Sequence, residues 1–415
     1  MTLADELETL EVKVPQAPGF AATALRIPQG TVTYTPPVRN RVGLEGASPT
    51  TVRHRGYKLR AELRPHGRET QRKPQLTMTT AGTRQLPAYD ELPKFKDFSG
   101  CAWEVWGKDD QLGTINLLTD DVVKEASKEI KTGKAICLNW PIQFPSRPAF
   151  GRIPPTHEVI FKTGRGAVHD DILHINTQSG TQWDGLKHFG LLEHGVFYQK
   201  RENFTPASFF QTGQIKISNP TDVDPELIKF GIHNWAQHGI CGRGVLLDMV
   251  KYYCDANGGR LPYDPMTTHA IPAADLVACA KQEGITFRTG DILLIRAGFM
   301  QRFYSTTQEE RDSIADKPET FAGIEQSEDM KRLLWDNHFA AVASDQPALE
   351  RWPPPGPHLH QTILGLWGMP IGEFFDLEAL SKQCEETGRY TFFFSSWPLN
   401  VLGGVASPPN AAAYF

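Results

Sequence analysis

The sequence predicts a mixed α/β (α+β) fold, and three observations carry that expectation. Short aliphatic or β-branched runs, several opened by glycine, alternate with stretches of helical periodicity. Both hairpin-like and helix-linked connections join those runs, so neither a pure bundle nor a pure sandwich fits. The chain has no internal repeat, and its 415 residues are enough to bury a substantial core.

The folded body is expected over residues 86–415. Thr119-Asp120-Asp121 opens a helix running to about Lys131, with a hydroxyl cap, early acids, late lysines and a stop at Gly133. Ala135–Ile142 reads as a strand. His157–Lys162 and Asp171–Asn176 read as two strands flanking the Gly164-Arg165-Gly166 turn. Gly244–Val250 and Asp291–Arg296 are short aliphatic strands, separated by a helix over Pro272–Glu283 that Gly284 ends. Ser327–Asn337 is a further helix leading into the strand Phe339–Ser344. Leu377–Cys384 is helical, and Tyr390–Ser396 is a last, aromatic-rich strand.

Residues 1–85 contrast with that body. Prolines at 15, 18, 28, 36, 37, 65 and 74 break any long element, and from Arg39 to Lys73 the segment is basic and poor in large apolar residues. The segment is expected to be a disordered or irregular basic extension, either a solvated tail or an interaction arm. It carries 13 Lys/Arg against 7 Asp/Glu, whereas the remaining 330 residues carry 30 against 41. An acidic body argues against nucleic-acid binding, because phosphate contacts need clustered cations.

Composition narrows the class further. Hydrophobic residues make up 40% and charged residues 22% of the chain, as in ordinary globular proteins. No apolar run approaches the roughly 20 residues that span a bilayer. The start, Met-Thr-Leu-Ala-Asp-Glu-Leu-Glu, has neither a basic nor an apolar signal region. Six scattered cysteines without a Cys-x-x-Cys pair suit reduced thiols. A cytoplasmic protein without a membrane partner is expected.

The chemistry concentrates in Gln178-Ser179-Gly180-Thr181-Gln182-Trp183-Asp184-Gly185-Leu186-Lys187-His188. A Gly-Thr turn there brings a carboxylate and an imidazole toward one small volume, where they can hold a divalent ion or move a proton. Taken as an isolated pair, Asp184 and His188 could equally be a turn cap and a core histidine.

This stretch resembles the signature of the cyclase family of metal-dependent hydrolases, the kynurenine formamidase and isatin hydrolase group: His-x-Gly-Thr-His-x-Asp-x-Pro-x-His. Gly180-Thr181, Asp184 and His188 keep the frame, while Gln178 and Gln182 replace both earlier histidines and Leu186 replaces the proline. The resemblance continues through Trp106-Gly107, Leu112-Gly113-Thr114-Ile115-Asn116, Gly242 to Asp248, Thr289 to Arg296, Ala343-Ser344-Asp345 and His360 to Glu373. It implies a swivelling β/β/α domain around a mixed, barrel-like sheet, assembled as a homo-oligomer.

The resemblance also implies a site. Asp184 would be a metal ligand, and His188 a ligand or a general acid/base. His360 and Glu373 would complete the metal set, although their spacing is one residue longer than in formamidases and His358 competes with His360. Glu373 could instead be an acid at a helix N-terminus. Gln178, Gln182, Trp183 and Thr181 are expected to bind substrate, with Trp183 as a pocket wall. Carboxamide oxygens in place of imidazoles would favour Mn²⁺ or Mg²⁺ over Zn²⁺, and the expected cofactor is a divalent metal, Mn²⁺ or Zn²⁺. Asp345 is either a site acid or a turn residue, and Glu350 a surface acid or a support behind the site.

Other chemistries lack their motifs: no Gly-x-Ser-x-Gly elbow, phosphate loop or dinucleotide fingerprint occurs. The expected function is metal-dependent hydrolysis of an acyl C–N or C–O bond (formamide, cyclic amide or lactone) in a small aromatic substrate. Arylformamidase, which releases kynurenine in tryptophan catabolism, is the reference activity of the resemblance. A ring-closing or dehydrating cyclase and a degenerate, non-catalytic binding protein remain as alternatives.

Overall fold

A computed structural model of the chain describes residues 86–162, 167–202 and 223–415. The expectations for residues 1–85 and for the Gly164-Arg165-Gly166 turn lie outside the described residues. The described residues fall within one compact unit, Thr79–Phe415.

Nine strands form a curled, mixed sheet shaped as a half-barrel. They are β1 (Ala135–Cys137), β2 (Gln182–Asp184), β3 (Ile240–Asp248), β4 (Ile292–Arg296), β5 (Ala341–Ser344), β6 (Ile371–Glu373), β7 (Thr391–Ser396), β8 (Ala406–Ser407) and β9 (Ala411–Tyr414). Their order is β1-β9-β7-β3-β4-β5-β6-β2-β8. The centre, β3-β4-β5-β6, is parallel; β7, β9 and β1 on one flank, and β2 and β8 on the other, pair antiparallel.

Parallel strands buried on both faces need continuous apolar runs, and β3 and β4 have them. Val245, Leu247, Leu293, Ile295, Val342 and Ile371 face one apolar cluster. Leu246, Ile292, Leu294, Ala341, Ala343 and Trp183 face the other. Each of the four aliphatic side chains Ile292 to Ile295 is at most 1% exposed. Such burial contributes about 1.5–3 kcal/mol per side chain.

Five helices matter for the argument: α1 (Asp120–Ala126), α2 (Met249–Ala256), α3 (Ala273–Gln282), α4 (Glu328–Asp336) and α5 (Glu378–Thr387). Helices α3 and α4 bury Leu276, Cys279, Met330 and Leu334 in the first cluster, and α5 buries Leu380 and Cys384 in the second. Their caps follow the sequence. Thr119 and Ser327 accept from Val122 N and Met330 N, and Gly388 ends α5 at φ 66°.

Several expected boundaries shift for identifiable reasons. The β3 run ends at Asp248, because its carboxylate caps Lys251 N at 3.0 Å and starts α2 at once. β1 stops at Cys137, before the Trp140-Pro141 pair, where proline has no N–H for a ladder. α1 closes into a 3₁₀ turn at Ser127–Glu129 instead of reaching Lys131. The strands Thr156–Phe161 and His169–His174 pair antiparallel as an exposed hairpin. Among the described residues no helix is long and apolar enough to cross a membrane.

Candidate metal centre

Alternation along β2 places Gln182 and Asp184 on one face of the sheet and Trp183 on the other. β2 pairs with β6 so that Glu373 lies opposite Gln182 and Gly372 opposite Trp183. Gly372 is required there. A Cβ would sit 2.4 Å from the Ala343 Cβ and 2.9 Å from the Trp183 ring. Two carboxylates from neighbouring strands therefore share one buried face, and both are at most 2% exposed.

His360 comes to that face from another direction. It precedes a π-helical turn, Gln361–Leu366, a wider helical geometry frequent at functional sites. Glu350 fixes it. One Glu350 oxygen meets His360 Nδ1 at 2.5 Å and accepts its backbone N–H at 3.0 Å; the other accepts Leu359 N and Gln326 Nε2, both at 2.8 Å. The free ring nitrogen, Nε2, is thereby turned to Glu373 Oε1 at 3.2 Å and Asp184 Oδ2 at 3.9 Å. A carboxylate behind a histidine is the usual support of a metal-bound imidazole.

Gln178 and Gln182 hold the acids from the other side. Gln178 Nε2 donates to Asp184 Oδ1 at 2.7 Å and lies 3.0 Å from His188 Nδ1. Gln182 Nε2 donates to Glu373 Oε2 at 2.7 Å and to Asp184 Oδ1 at 3.1 Å. Leu349 N completes Glu373 at 3.1 Å.

One ligand atom each from Asp184, His360 and Glu373 lies within 4.8 Å of the others. Asp184 Oδ2 and Gln182 Oε1 are buried without a hydrogen-bond partner. Unpartnered buried oxygens beside a second carboxylate are costly, and a cation satisfies them. The residues present thus fit a divalent ion, with Asp184, His360 and Glu373 as the side chains that would hold it. A donor set richer in oxygen than in nitrogen suits Mn²⁺ or Mg²⁺ as well as Zn²⁺.

The local titration follows from this crowding. Burial raises the Asp184 carboxyl, and the nearby Glu373 charge adds to the effect. Burial alone would lower the His360 imidazole, but its bonds to Glu350 and Glu373 outweigh that and push it up to about 10. Burial lowers His188 despite the Asp184 charge, so this ring is neutral near pH 7.

Several expected site residues lie outside the three-ligand group. His188 stands outside the three-ligand group: its Nε2 is 3.8 Å from Asp184 Oδ2, and its ring centroid is 6.4 Å from that of His360. Trp183 is no pocket wall. It is fully buried on the far face, packed on Phe375 and Phe394, with Nε1 donating to Ser396 Oγ at 2.8 Å. The Thr181 hydroxyl accepts from Trp140 N and donates to the Phe374 carbonyl, stitching two segments together. Gln178 and Gln182 direct their amide nitrogens at carboxylates, not at open space. His358 packs on Phe189 and Trp352 and lies outside the group, which holds His360. Asp345 accepts Ala297 N and Gly298 N at 2.7 and 2.8 Å, which makes it a turn residue.

Two residues at the site carried no assignment in the sequence. Arg152 donates from Nη1 to the Gln178 carbonyl at 2.6 Å, and its proline-rich surroundings give no signal of that. Gln346 is fully buried, and neither end of its carboxamide has a partner.

No curated protein matches the chain. Among solved structures, the crystal structure of a novel cyclase is 30% identical, with a TM-score of 0.63, covering 76% of this chain and 99% of that one. A predicted metal-dependent hydrolase from Bacillus stearothermophilus is 17% identical, with a TM-score of 0.39, covering 68% of this chain and 98% of that one. Isatin hydrolase A from Ralstonia solanacearum is 16% identical, with a TM-score of 0.41 and coverage of 68% and 91%. The putative cyclase family matches residues 105–351, a span that includes Asp184 and Glu350. With more than half of its length so matched, and with a cyclase structure that it covers almost end to end, this chain belongs to the cyclase family.

Proposed function

We propose that the protein is a metal-dependent hydrolase that opens an acyl C–N or C–O bond in a small aromatic molecule, in the manner of an arylformamidase. The observation that carries this reading is the buried Asp184–His360–Glu373 group, with an unpartnered Asp184 oxygen, beside a partly exposed imidazole. Lewis acidity, and a water acidified toward neutrality, are what a divalent ion held there would supply.

The chain's own residues do the rest. Gln178 donates one amide hydrogen to Asp184 and the other toward His188 Nδ1, so the neutral His188 ring carries its proton on Nε2. That Nε2–H, at the open edge of the group, donates to the scissile carbonyl oxygen as negative charge develops on it. His188 is then an electrophilic donor whose ring stays neutral, and the proton lost by the attacking water is the one that the leaving nitrogen or oxygen takes up. Glu350 keeps His360 Nε2 aimed, and Gln182 keeps both carboxylates apart in one fixed geometry.

Elemental analysis of the purified protein, combined with a hydrolysis panel of formanilides, lactones and isatin-like rings, tests this. About one ion per chain is expected. So is turnover of at least one substrate class that chelation abolishes and Mn²⁺ or Zn²⁺ restores. The variant Glu373→Gln should lose the ion and at least about 10²-fold in rate. An ion-free protein with no turnover on that panel, or one whose turnover survives the substitution, would falsify the reading.

A further inference from the structure

A cavity of about 680 Å³ lies between the proline-rich segment 145–154, the helix Phe299–Tyr304 and the stretch 311–321, and Phe374, the residue after Glu373, is on its wall. That volume suits a small organic ligand. Its apolar wall is aromatic: Phe299, Phe303, Phe321 and Phe374 all line it, with centroids of Phe299 and Phe374 5.6 Å apart.

Its charge is lopsided. Five Lys/Arg line the cavity against only Asp264 and Glu319. Arg147 is consumed by a two-pronged ion pair with Asp316, and Arg302 is loosely held 3.7 Å from Asp264. Arg152 and Arg311 differ. Arg152 gives one hydrogen bond, to the Gln178 carbonyl, and Arg311 bonds only to the Phe303 and Tyr304 carbonyls and the Thr306 hydroxyl. Neither makes a direct ion pair with a carboxylate among the described residues, although both are half-buried and the Arg152 charge reaches Asp184. Half-buried guanidinium groups beside aromatic rings are an anion receptor that wants a flat carboxylate.

Two connections join this cavity to the metal centre. Arg152 is bonded to Gln178, whose amide holds Asp184. Phe374 follows Glu373 in the chain, and its N–H donates to the carbonyl of Gln346 at 2.9 Å. Gln346 is followed by Pro347 on the cavity wall, and its own buried carboxamide lacks any partner. An unsatisfied amide at that junction is a polar contact waiting for a ligand atom or a water.

We infer that this cavity binds the carboxylate-bearing aromatic part of the substrate, so the bond that is opened belongs to an aromatic acid. The inference rests on the hydrolase reading for the reaction but not for the ligand.

Calorimetric titration of the full chain with 2-naphthoate and with its neutral isostere 2-naphthamide tests it. The acid should bind at least about tenfold more tightly than the amide. Arg311→Gln should remove most of that preference, Arg311→Lys should keep part of it, and Arg152→Gln should weaken it independently should either Arg311 variant fail to fold. The preference should persist in Glu373→Gln, which removes the ion. Equal affinity for acid and amide overturns the inference. So does a preference that survives Arg311→Gln and vanishes in Glu373→Gln, because the carboxylate would then be binding the ion. A protein that prefers the acid yet holds no ion and hydrolyses nothing keeps this inference and loses only the hydrolase reading.

Discussion

Two groups of buried charges sit on the same sheet, and they are built on opposite principles. At the C-terminal ends of β3 and β4, Arg296 meets both oxygens of Glu378 at 2.8 Å and Asp248 at 2.9 Å. Arg243 likewise meets both oxygens of Asp291, at 2.8 and 2.6 Å. Each guanidinium is matched in shape and charge by its acids. At β2 and β6, two carboxylates and a histidine share a pocket in which no arginine hydrogen-bonds to either acid, and one carboxylate oxygen has no hydrogen-bond partner. The first arrangement is finished as it stands. The second is complete only with something added, which is how a structural network differs from a site.

The sharpest way to break this comparison is to make the finished network unfinished. Arg296→Met should leave Asp248, 1% exposed, without its cation. Losing one partner of a buried pair typically costs about 3–5 kcal/mol. Chemical denaturation should show a loss of that size, while the ion content of the remaining folded protein stays at the wild-type level. A loss below about 1 kcal/mol would mean that water already reaches the pair and that the two groups are less different than their geometry says.

Next in size is a substitution behind the site. Glu350 accepts four hydrogens, from His360 Nδ1, two backbone N–H groups and Gln326. Glu350→Gln removes the charge and offers one acceptor in place of two. Metal affinity, read by competition with a chromogenic chelator, should fall about 10- to 100-fold, with the fold retained. An unchanged affinity would leave His360 as a packing residue and reduce the site to two carboxylates.

How much of this could be read from the chain alone divides along the same line. Asp184 and Glu373 were legible because their neighbours follow a family pattern, and β4 because four aliphatic residues in a row have few other uses. Trp183 was misplaced because its neighbours Gln182 and Asp184 do face the site; period-2 alternation then sends the residue between them away from it. Glu350 was only half legible. Nothing within a few residues of it marks an acid ten positions before His360 as that histidine's partner, since the contact depends on a turn closing over Leu359. Strand β9, Ala411–Tyr414, was not seen, because three alanines carry no strand preference. It forms because β1 and β7 leave a gap between them, a reason that exists only in three dimensions.

A last test concerns Glu283, an acid near the finished network that makes no ion pair among the described residues. Glu283 accepts Asp248 N at 3.0 Å through Oε1, while Oε2 is buried and unpartnered. Burial, opposed by that backbone bond and helped by the Asp248 charge, raises its carboxyl to about 8. The native protein therefore binds a proton that the unfolded chain releases near pH 4.5, and stability must fall as pH rises from there toward 8. Glu283→Gln keeps the acceptor for Asp248 N and cannot ionise. It should differ little from wild type at pH 5 and exceed it in Tm by a margin that grows as the pH rises to 8.5. Parallel pH profiles for the two proteins would show that water reaches Glu283 freely. Glu283 would then be no counterpart to Asp184, whose unpartnered oxygen would be the one buried acid of the sheet left for a metal ion, not a proton, to satisfy.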